Sequence, residues 1–547
     1  MRLVPDDPFP EIGHPYATDV SADGRWLAVS CTAGGRRERG RVAVYRMSDL
    51  ALWDQLVLEY GVEALAFHPV LPVLALGTEH SDDEFHRRGG LHLYEPEVRR
   101  RTDVAVAGGS VNALRWRDVR RLEVTFARPE IDHEDEGRET YTRAVAEHDN
   151  WNAVTADRLA ALVSWPQVPV EIDWHTVEAP RIRRPQEFLA ATAAERGLAW
   201  TRRTGTALVE TLRDGRVLAA ARSGDPLLEC WSPDGALQWS VPEPEDTFEH
   251  SGCRWYVTPD EESVWITVLV GTSDNRRTRL CRFALADGAR LAELRFDFPV
   301  AIAARTDGAW VARDSRELFP DARWPPYESV VLTPSGRQLA TLPLGESGSG
   351  YDFPVRRSPH LLFLYGVGDA DVRPEVLEKW VVRAGPGGVE RLFRFAWDDT
   401  LGPRLDGGPA VYLDDATGPG LVHTCTASDD TYLVRRSYPD GAVLWAHHFD
   451  ARITGLDVHG GLVHAVTGAR ELLTLEAVGG TVVRRRPLAV GGHVYTPTCL
   501  SAGPDGDLVI GTAEGRLIRT RTDEETRMRG RCHSAAPSAL PRTAAGS

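Results

Sequence analysis

Leu208–Val241, LVETLRDGRVLAAARSGDPLLECWSPDGALQWSV, is the stretch from which the rest of the chain can be read. It divides into four short apolar runs, LVETL, RVLAAA, LLECWS and ALQWSV, separated by Asp214-Gly215, Gly224-Asp225-Pro226 and Asp234-Gly235. Asp-Gly between apolar runs predicts a hairpin, because both residues tolerate the positive φ that tight turns demand. Four antiparallel strands in 34 residues cannot bury both faces of their own sheet. Such a unit must stack on others like it.

The chain supplies those neighbours. Asp19–Ser30 reads as a strand, an Asp23-Gly24 turn and a second strand, followed by strands at Arg41–Tyr45 and Gln55–Glu59. The plan repeats at Ala64–Phe67, Val73–Leu76, Leu91–Tyr94 and Val104–Val106, and again at Ala113–Trp116, Leu122–Phe126 and Thr140–Val145. First turns at 23, 69 and 118 give a period of 46 to 49 residues. Beyond residue 206, later turns at Asp234, Asp287, Ser335, Gly387, Asp440 and Gly479 are spaced by 39 to 53 residues. Three units precede residue 150 and seven follow residue 206.

The hairpin Ser21-Ala22-Asp23-Gly24-Arg25-Trp26-Leu27-Ala28 and its recurrences resemble the repeats of WD40-like β-propellers. Cys230–Trp239 and Arg436–Trp445, each an Asp-Gly turn followed by a Trp, look like the last hairpin of PQQ-type blades. These resemblances imply an all-β fold: a β-propeller of four-stranded antiparallel blades, about ten in number, with a short helical insert. The Gly-His and Trp-Asp signatures do not recur at repeat spacing; Trp53-Asp54 occurs once. The family's Asp-His-Ser/Thr-Trp set is therefore not carried over to positions here.

The expected organisation is three units over 14–150, an insert or linker over 151–205, seven units over 206–521, and a disordered tail over 522–547. Pro185–Arg196 is rich in helix formers with Gly197 as a stop, while Trp151–Arg184 also fits a degenerate blade. One ring of ten or eleven blades and a ring of seven beside three other units both fit the count.

Composition excludes several activities. A net charge of −16 opposes an electrostatic grip on nucleic acid or an anionic membrane. No apolar run reaches membrane-spanning length, and the acids and prolines of residues 1–15 do not form a signal peptide, so a cytoplasmic protein is expected. The seven cysteines contain no CxxC pair for zinc or redox chemistry. Lys379 is the single lysine, and its Glu378-Lys379-Trp380 setting is neither a Walker A loop nor a kinase or Schiff-base site.

In a four-stranded antiparallel blade, the first and third turns share one face of the disc, and the second loop lies on the other. First and third turns here are tight Asp-Gly or Gly-Gly links. Second loops are long and charged: 31–40, 79–90, 128–138, 271–278, 313–328 and 367–378. Binding residues on a rigid scaffold concentrate in such loops. Residues 313–328 carry Arg316, Phe319, Arg323, Trp324 and Tyr327, an aromatic and Arg mixture suited to an interface or, equally, to capping the disc.

Loops 79–90 and 128–138 gather His80, Asp82, Asp83, Glu84, His86, Asp132, His133, Glu134 and Asp135 without HExxH or EF-hand spacing. A solvated charged face is favoured there over a metal. Gly345–Gly350 misses the GxSxG elbow, and His447-His448 reads as strand packing. The expectation is a non-catalytic scaffold, without cofactor, that recruits a protein partner through its long-loop face, within a bacterial multi-protein system. The alternative is an enzyme or a small-ligand or metal binder using the central channel, as PQQ-type and lactonase-type propellers do.

Overall fold

A computed structural model describes the chain outside residues 6–7, 33–39, 83–85, 106–109, 128–139, 164–167, 172–184, 223–225, 245–252, 273–274, 306, 315–328, 343–354, 358–360, 368–377, 386–387, 398–404, 428–429 and 523–547. Among the described residues it is an all-β propeller of about ten blades. In chain order, blades 1 to 3 span His14–Val57, Gly61–Ala105 and Ser110–Glu171; blades 4 to 6 span Thr206–Val241, Trp255–Phe296 and Val300–Leu342. Blades 7 to 9 span Val355–Arg394, Leu405–Phe449 and Ile453–Pro487, and blade 10 spans Pro497–Arg521.

The turns form where side chains satisfy the backbone that turning exposes. Ser21 Oγ donates to Asp23 Oδ1 (2.6 Å) and accepts from the Trp26 amide (2.9 Å). Thr258 repeats the device on Asp260 at 2.6 Å, and Ser232 repeats it on Asp234. A register shift one or two residues into the innermost strand recurs in blades 1, 2, 3, 4, 9 and 10. Such bulges bend a strand at a fixed place, so both halves of the chain repeat one structural unit even where their sequences diverge.

Neighbouring blades are locked by indoles. Trp53, Trp239 and Trp445, each on a fourth strand, donate to the carbonyls of Pro96 (2.9 Å), Leu285 (3.3 Å) and Ala477 (3.0 Å) at the end of the next blade's third strand. The two sequence-similar hairpins thus perform the same docking. At the turn beneath Trp445, Gly480 has φ +71°, and a Cβ there would lie 2.7 Å from the indole. Gly24 has φ +69° with nothing within 4 Å of its virtual Cβ. Both glycines face a left-handed backbone cost of about 1–2 kcal/mol on substitution. Gly480→Ala should exceed Gly24→Ala by about 1–3 kcal/mol of overpacking, measured by chemical denaturation; equal losses would show that the indole does not hold the joint.

Blades 4 to 10 pack in sequence, and blade 10 also packs on blade 4. Shared apolar cores join blade 4 to 5 through Leu218 and Ile266, and 5 to 6 through Trp265 and Trp310. Others join 7 to 8 through Phe393 and Leu421, 8 to 9 through Val411 and Val463, and 9 to 10 through Val466 and Leu500. The first strands of the paired sheets of blades 6 and 7 adjoin, and Val209 of blade 4 packs with Val509 of blade 10. Blade 10 takes its outermost strand from Arg2–Val4, paired as Arg2↔Arg519, Leu3↔Ile518 and Val4↔Leu517. The first described strand of the chain therefore completes the last blade of the circuit.

Blades 1 to 3 form a stack beside this circuit. One face of blade 1 packs on blade 2 through Trp26, Leu56, Leu74 and Leu76. Its other face is covered by Leu189 and Ala193 of the helical residues 185–194, with Trp200, Phe9 and Ile12. The helix expected in the insert thus covers what would otherwise be a bare sheet. The insert also holds α1, Ala156–Val163, at the rim of blades 2 and 3, and Val168–Glu171, the fourth strand of blade 3. On blade 3's far face the register sets exposed Arg115 opposite Glu123, which also pairs with Arg117. Charge at one end and a helix at the other terminate the stack as caps terminate a repeat array.

Blade 1 is fastened to blade 10 by a buried ion pair between Arg41 and Glu514, whose side chains are 3% and 1% exposed. Arg41 Nη2 also donates to Thr496 Oγ1 at 2.7 Å, and His493 Nδ1 lies 2.9 Å from Gln55 Oε1.

Candidate functional site

The blade fixes which side chains can converge. Strand pairing in blade 6, Trp310↔Leu332 to Ala312↔Val330, runs toward the second-loop end, where Asp314 and Ser329 bound residues 315–328. Arg316, Phe319, Arg323, Trp324 and Tyr327 lie outside the described residues. Two other spans expected as long loops are extended hairpins instead. Pairing continues to Asp82↔His86 in blade 2 and to Thr272↔Asn275 in blade 5. Long antiparallel strands satisfy their own backbone groups, so charge along them does not require an irregular loop. Asp83, Glu84, Asp132, His133, Glu134 and Asp135 lie outside the described residues.

The innermost strands carry a feature with no motif in the sequence. Val355–Arg356, the innermost strand of blade 7, leaves its own sheet and pairs in parallel with Ala410–Val411 of blade 8. This carries Arg356 to the inner strands of three further blades. It donates to the Val209 carbonyl (2.9 Å) and Glu210 (2.8 Å) of blade 4, and to Ser501 Oγ (2.7 Å) of blade 10. It also lies 3.3 Å from Asp457 of blade 9. Arg357 grips the same carboxylate at 2.6 and 3.2 Å.

Asp457 is fully buried and accepts the Ala502 amide at 2.7 Å. Burial alone would raise its carboxyl, but the two guanidiniums hold it below the usual range. Glu210 is raised by burial and by Asp457, against the pull of Arg356. A charged clasp ties the inner strands of five blades together.

Blade 2 carries a chain with the connectivity of a hydrolase triad. Thr78 Oγ1 lies 3.4 Å from His92 Nε2, and His92 Nδ1 lies 2.8 Å from Asp103 Oδ1. Thr78 is 1% exposed, accepts the Gly90 amide at 2.9 Å and donates to the Gly90 carbonyl at 3.3 Å. A buried hydroxyl held by backbone on both sides cannot reach an acyl carbon, so these side chains cross-link three strands.

The six described cysteines are buried and free. Burial pushes the thiols of Cys31, Cys253 and Cys425 to about 12 and those of Cys230, Cys281 and Cys499 to about 11, which suits packing rather than nucleophilic chemistry. His448 pairs with Asp430 at 2.8 Å on the exposed edge of blade 8, and His447 packs against Trp445, as strand residues would. Among the described residues, no three His, Cys, Asp or Glu side chains gather in a metal-binding group, and no helix is long and apolar enough to cross a membrane.

No family model matches the chain, and no curated protein does. A solved structure similar to it is the WD40 β-propeller domain of Doa1, at 11% identity and a TM-score of 0.39, covering 59% of this chain and 94% of that one.

Proposed function

We propose that the protein is a non-catalytic cytoplasmic scaffold, within a bacterial multi-protein system, that recruits a protein partner through the second-loop face of its disc. Blades 4–10 with Arg2–Val4 serve as one closed ring, and blades 1–3 as a stack appended to it. The observation that carries the reading is the asymmetry between the two faces. The opposite face is occupied by tight turns and by the indoles that lock one blade to the next, whereas residues 315–328 are launched from paired strands of blade 6 at the second-loop end. Arg316, Phe319, Arg323, Trp324 and Tyr327 are the proposed anchors, since aromatic and Arg side chains dominate interface energetics.

A channel-based enzyme is less favoured, because Arg356 and Arg357 with their acceptors already tie the innermost strands together. The test is partner capture by the wild-type chain and by Trp324→Ala, Tyr327→Ala. Capture that survives both substitutions, or stoichiometric metal or quinone in the purified wild-type protein, would overturn the scaffold reading.

A further inference from the structure

The joint between blade 1 and blade 10 is built from polar contacts at the second-loop ends of both. Glu514 lies in the turn between Asp507–Thr512 and Leu517–Arg521 of blade 10, and Arg41 opens the third strand of blade 1. Beside their buried ion pair, Arg41 donates to Thr496 and Gln55 meets His493. Arg202, just ahead of blade 4, meets His14 on the first strand of blade 1. The chain links the two bodies through residues 5–8 and 201–205, between Val4 and Phe9 and between Trp200 and Thr206. Separating them is therefore a hinge movement.

Two histidines stand in this joint, and the contacts of each hold its ring neutral. Arg202 Nε donates to His14 Nδ1 at 3.0 Å, so Nδ1 is the bare nitrogen and a proton there would set one N–H against another. His493 Nδ1 meets the Gln55 Oε1 acceptor at 2.9 Å and so carries the proton. Its Nε2, where a second proton would go, is buried with no hydrogen-bond partner among the described residues. Arg41 of blade 1 and Arg470 of blade 9 face His493, and Tyr495 packs edge-on against it at 4.3 Å; Arg202 is the charged group facing His14. Burial and these arginines lower His14 to about 4 and His493 to about 3. Glu11, bonded to Tyr45 and facing Arg516 and Glu514 in the same joint, is raised by burial. It opposes the histidines, with one proton against two.

We propose that the joint between blade 1 and blade 10 is an acid-operated hinge, which opens in mild acid and swings blades 1–3 away from blades 4–10 while the blades stay folded. Opening hydrates both imidazoles, which then titrate near the ordinary 6.5. Between that value and about 4 the open form binds more protons than the closed one. The advantage of the closed form is complete above pH 6.5 and is lost as pH falls through the window. From pH 7 to pH 5 the ratio of open to closed rises about 20-fold for each histidine and about 500-fold for the pair. Opening releases Arg41 and Glu514 into water together, so no buried charge is stranded. The hinge is a property of the chain alone and does not depend on recruitment through the second-loop face.

The test is size-exclusion-coupled small-angle X-ray scattering of the full chain at pH 7 and pH 5, with far-ultraviolet circular dichroism on the same samples. Wild type should expand at pH 5 and contract again at pH 7, with its sheet signal unchanged. The double variant His14→Gln, His493→Gln keeps neutral hydrogen-bonding groups at both places and should stay compact at pH 5. Each single variant should need a lower pH than wild type to open, and these carry the comparison if the double variant does not fold. His448→Gln, at an exposed position on blade 8, should open like wild type. The proposal is overturned by unchanged wild-type scattering at pH 5, by loss of sheet signal together with the expansion, or by variants at 14 and 493 that open at the wild-type pH. An equal shift in His448→Gln overturns it as well.

Discussion

Asp457→Ala should destabilise the protein by about 3–5 kcal/mol, the expected cost of removing one partner from a buried charge cluster. The substitution removes the carboxylate that Arg356 and Arg357 share, leaves Arg357 without its ion-pair partner and strips the Ala502 amide of its acceptor. Because the clasp joins blades 4, 7, 8, 9 and 10, the loss should appear in the global unfolding transition rather than as local fraying. Asp457→Asn keeps an acceptor for Ala502 and should cost less. Chemical denaturation with both variants checks this. A loss below about 1 kcal/mol for Asp457→Ala would mean that water reaches the clasp and screens the arginines.

Stability should also fall steeply in mild acid, from pH 6.5 downward. His423, His464 and His493 are 0%, 1% and 2% exposed. Burial, with Arg436 acting on His423 and Arg41 on His493, lowers their pKa values to about 3, 4 and 3 respectively. In the unfolded chain the same groups titrate near 6.5. Between those limits the unfolded state binds more protons than the folded one. The stabilising difference is therefore complete above pH 6.5 and is lost as pH falls through the window.

Each buried histidine costs up to about 1.4 kcal/mol per pH unit, so three reach about 6 kcal/mol at pH 5, comparable with the whole stability of an ordinary domain. Glu11 and Glu210, whose carboxyls burial raises, act in the opposite direction at lower pH. Denaturation midpoints at pH 8 and pH 5 report the balance. Equal midpoints would show that the histidines find water or acceptors in the folded state.

How much of this the sequence discloses depends on how far apart the partners lie. The blades are legible because a hairpin is local: Asp234-Gly235 specifies its own turn and joins strands only a few residues away. The docking role of Trp239 and Trp445 is half legible, since the shared hairpin is visible but the glycines beneath the indoles belong to the next repeat. The strand Arg2–Val4 is illegible, because its partner lies more than 500 residues away and three residues carry no periodicity. Val168–Glu171 is hidden for a related reason: a helix intervenes between it and the strand it joins.

Candidate sites divide in the same way. The end of blade 6 that bears residues 315–328 follows from alternation of strand and turn. Arg356 and Arg357 carry no motif, and they matter only because the strand before them abandons its own sheet for the next blade's.

Recruitment through the second-loop face is tested most directly by comparing wild type with Trp324→Ala, Tyr327→Ala for the partner retained, alongside the thermal midpoint of each. The account predicts that the double variant loses most of the captured partner while its midpoint stays within about 2 °C of wild type, since surface substitutions cost under about 0.5 kcal/mol. Undiminished capture would contradict it, and so would a large fall in midpoint, which would place both aromatics in the core of the disc.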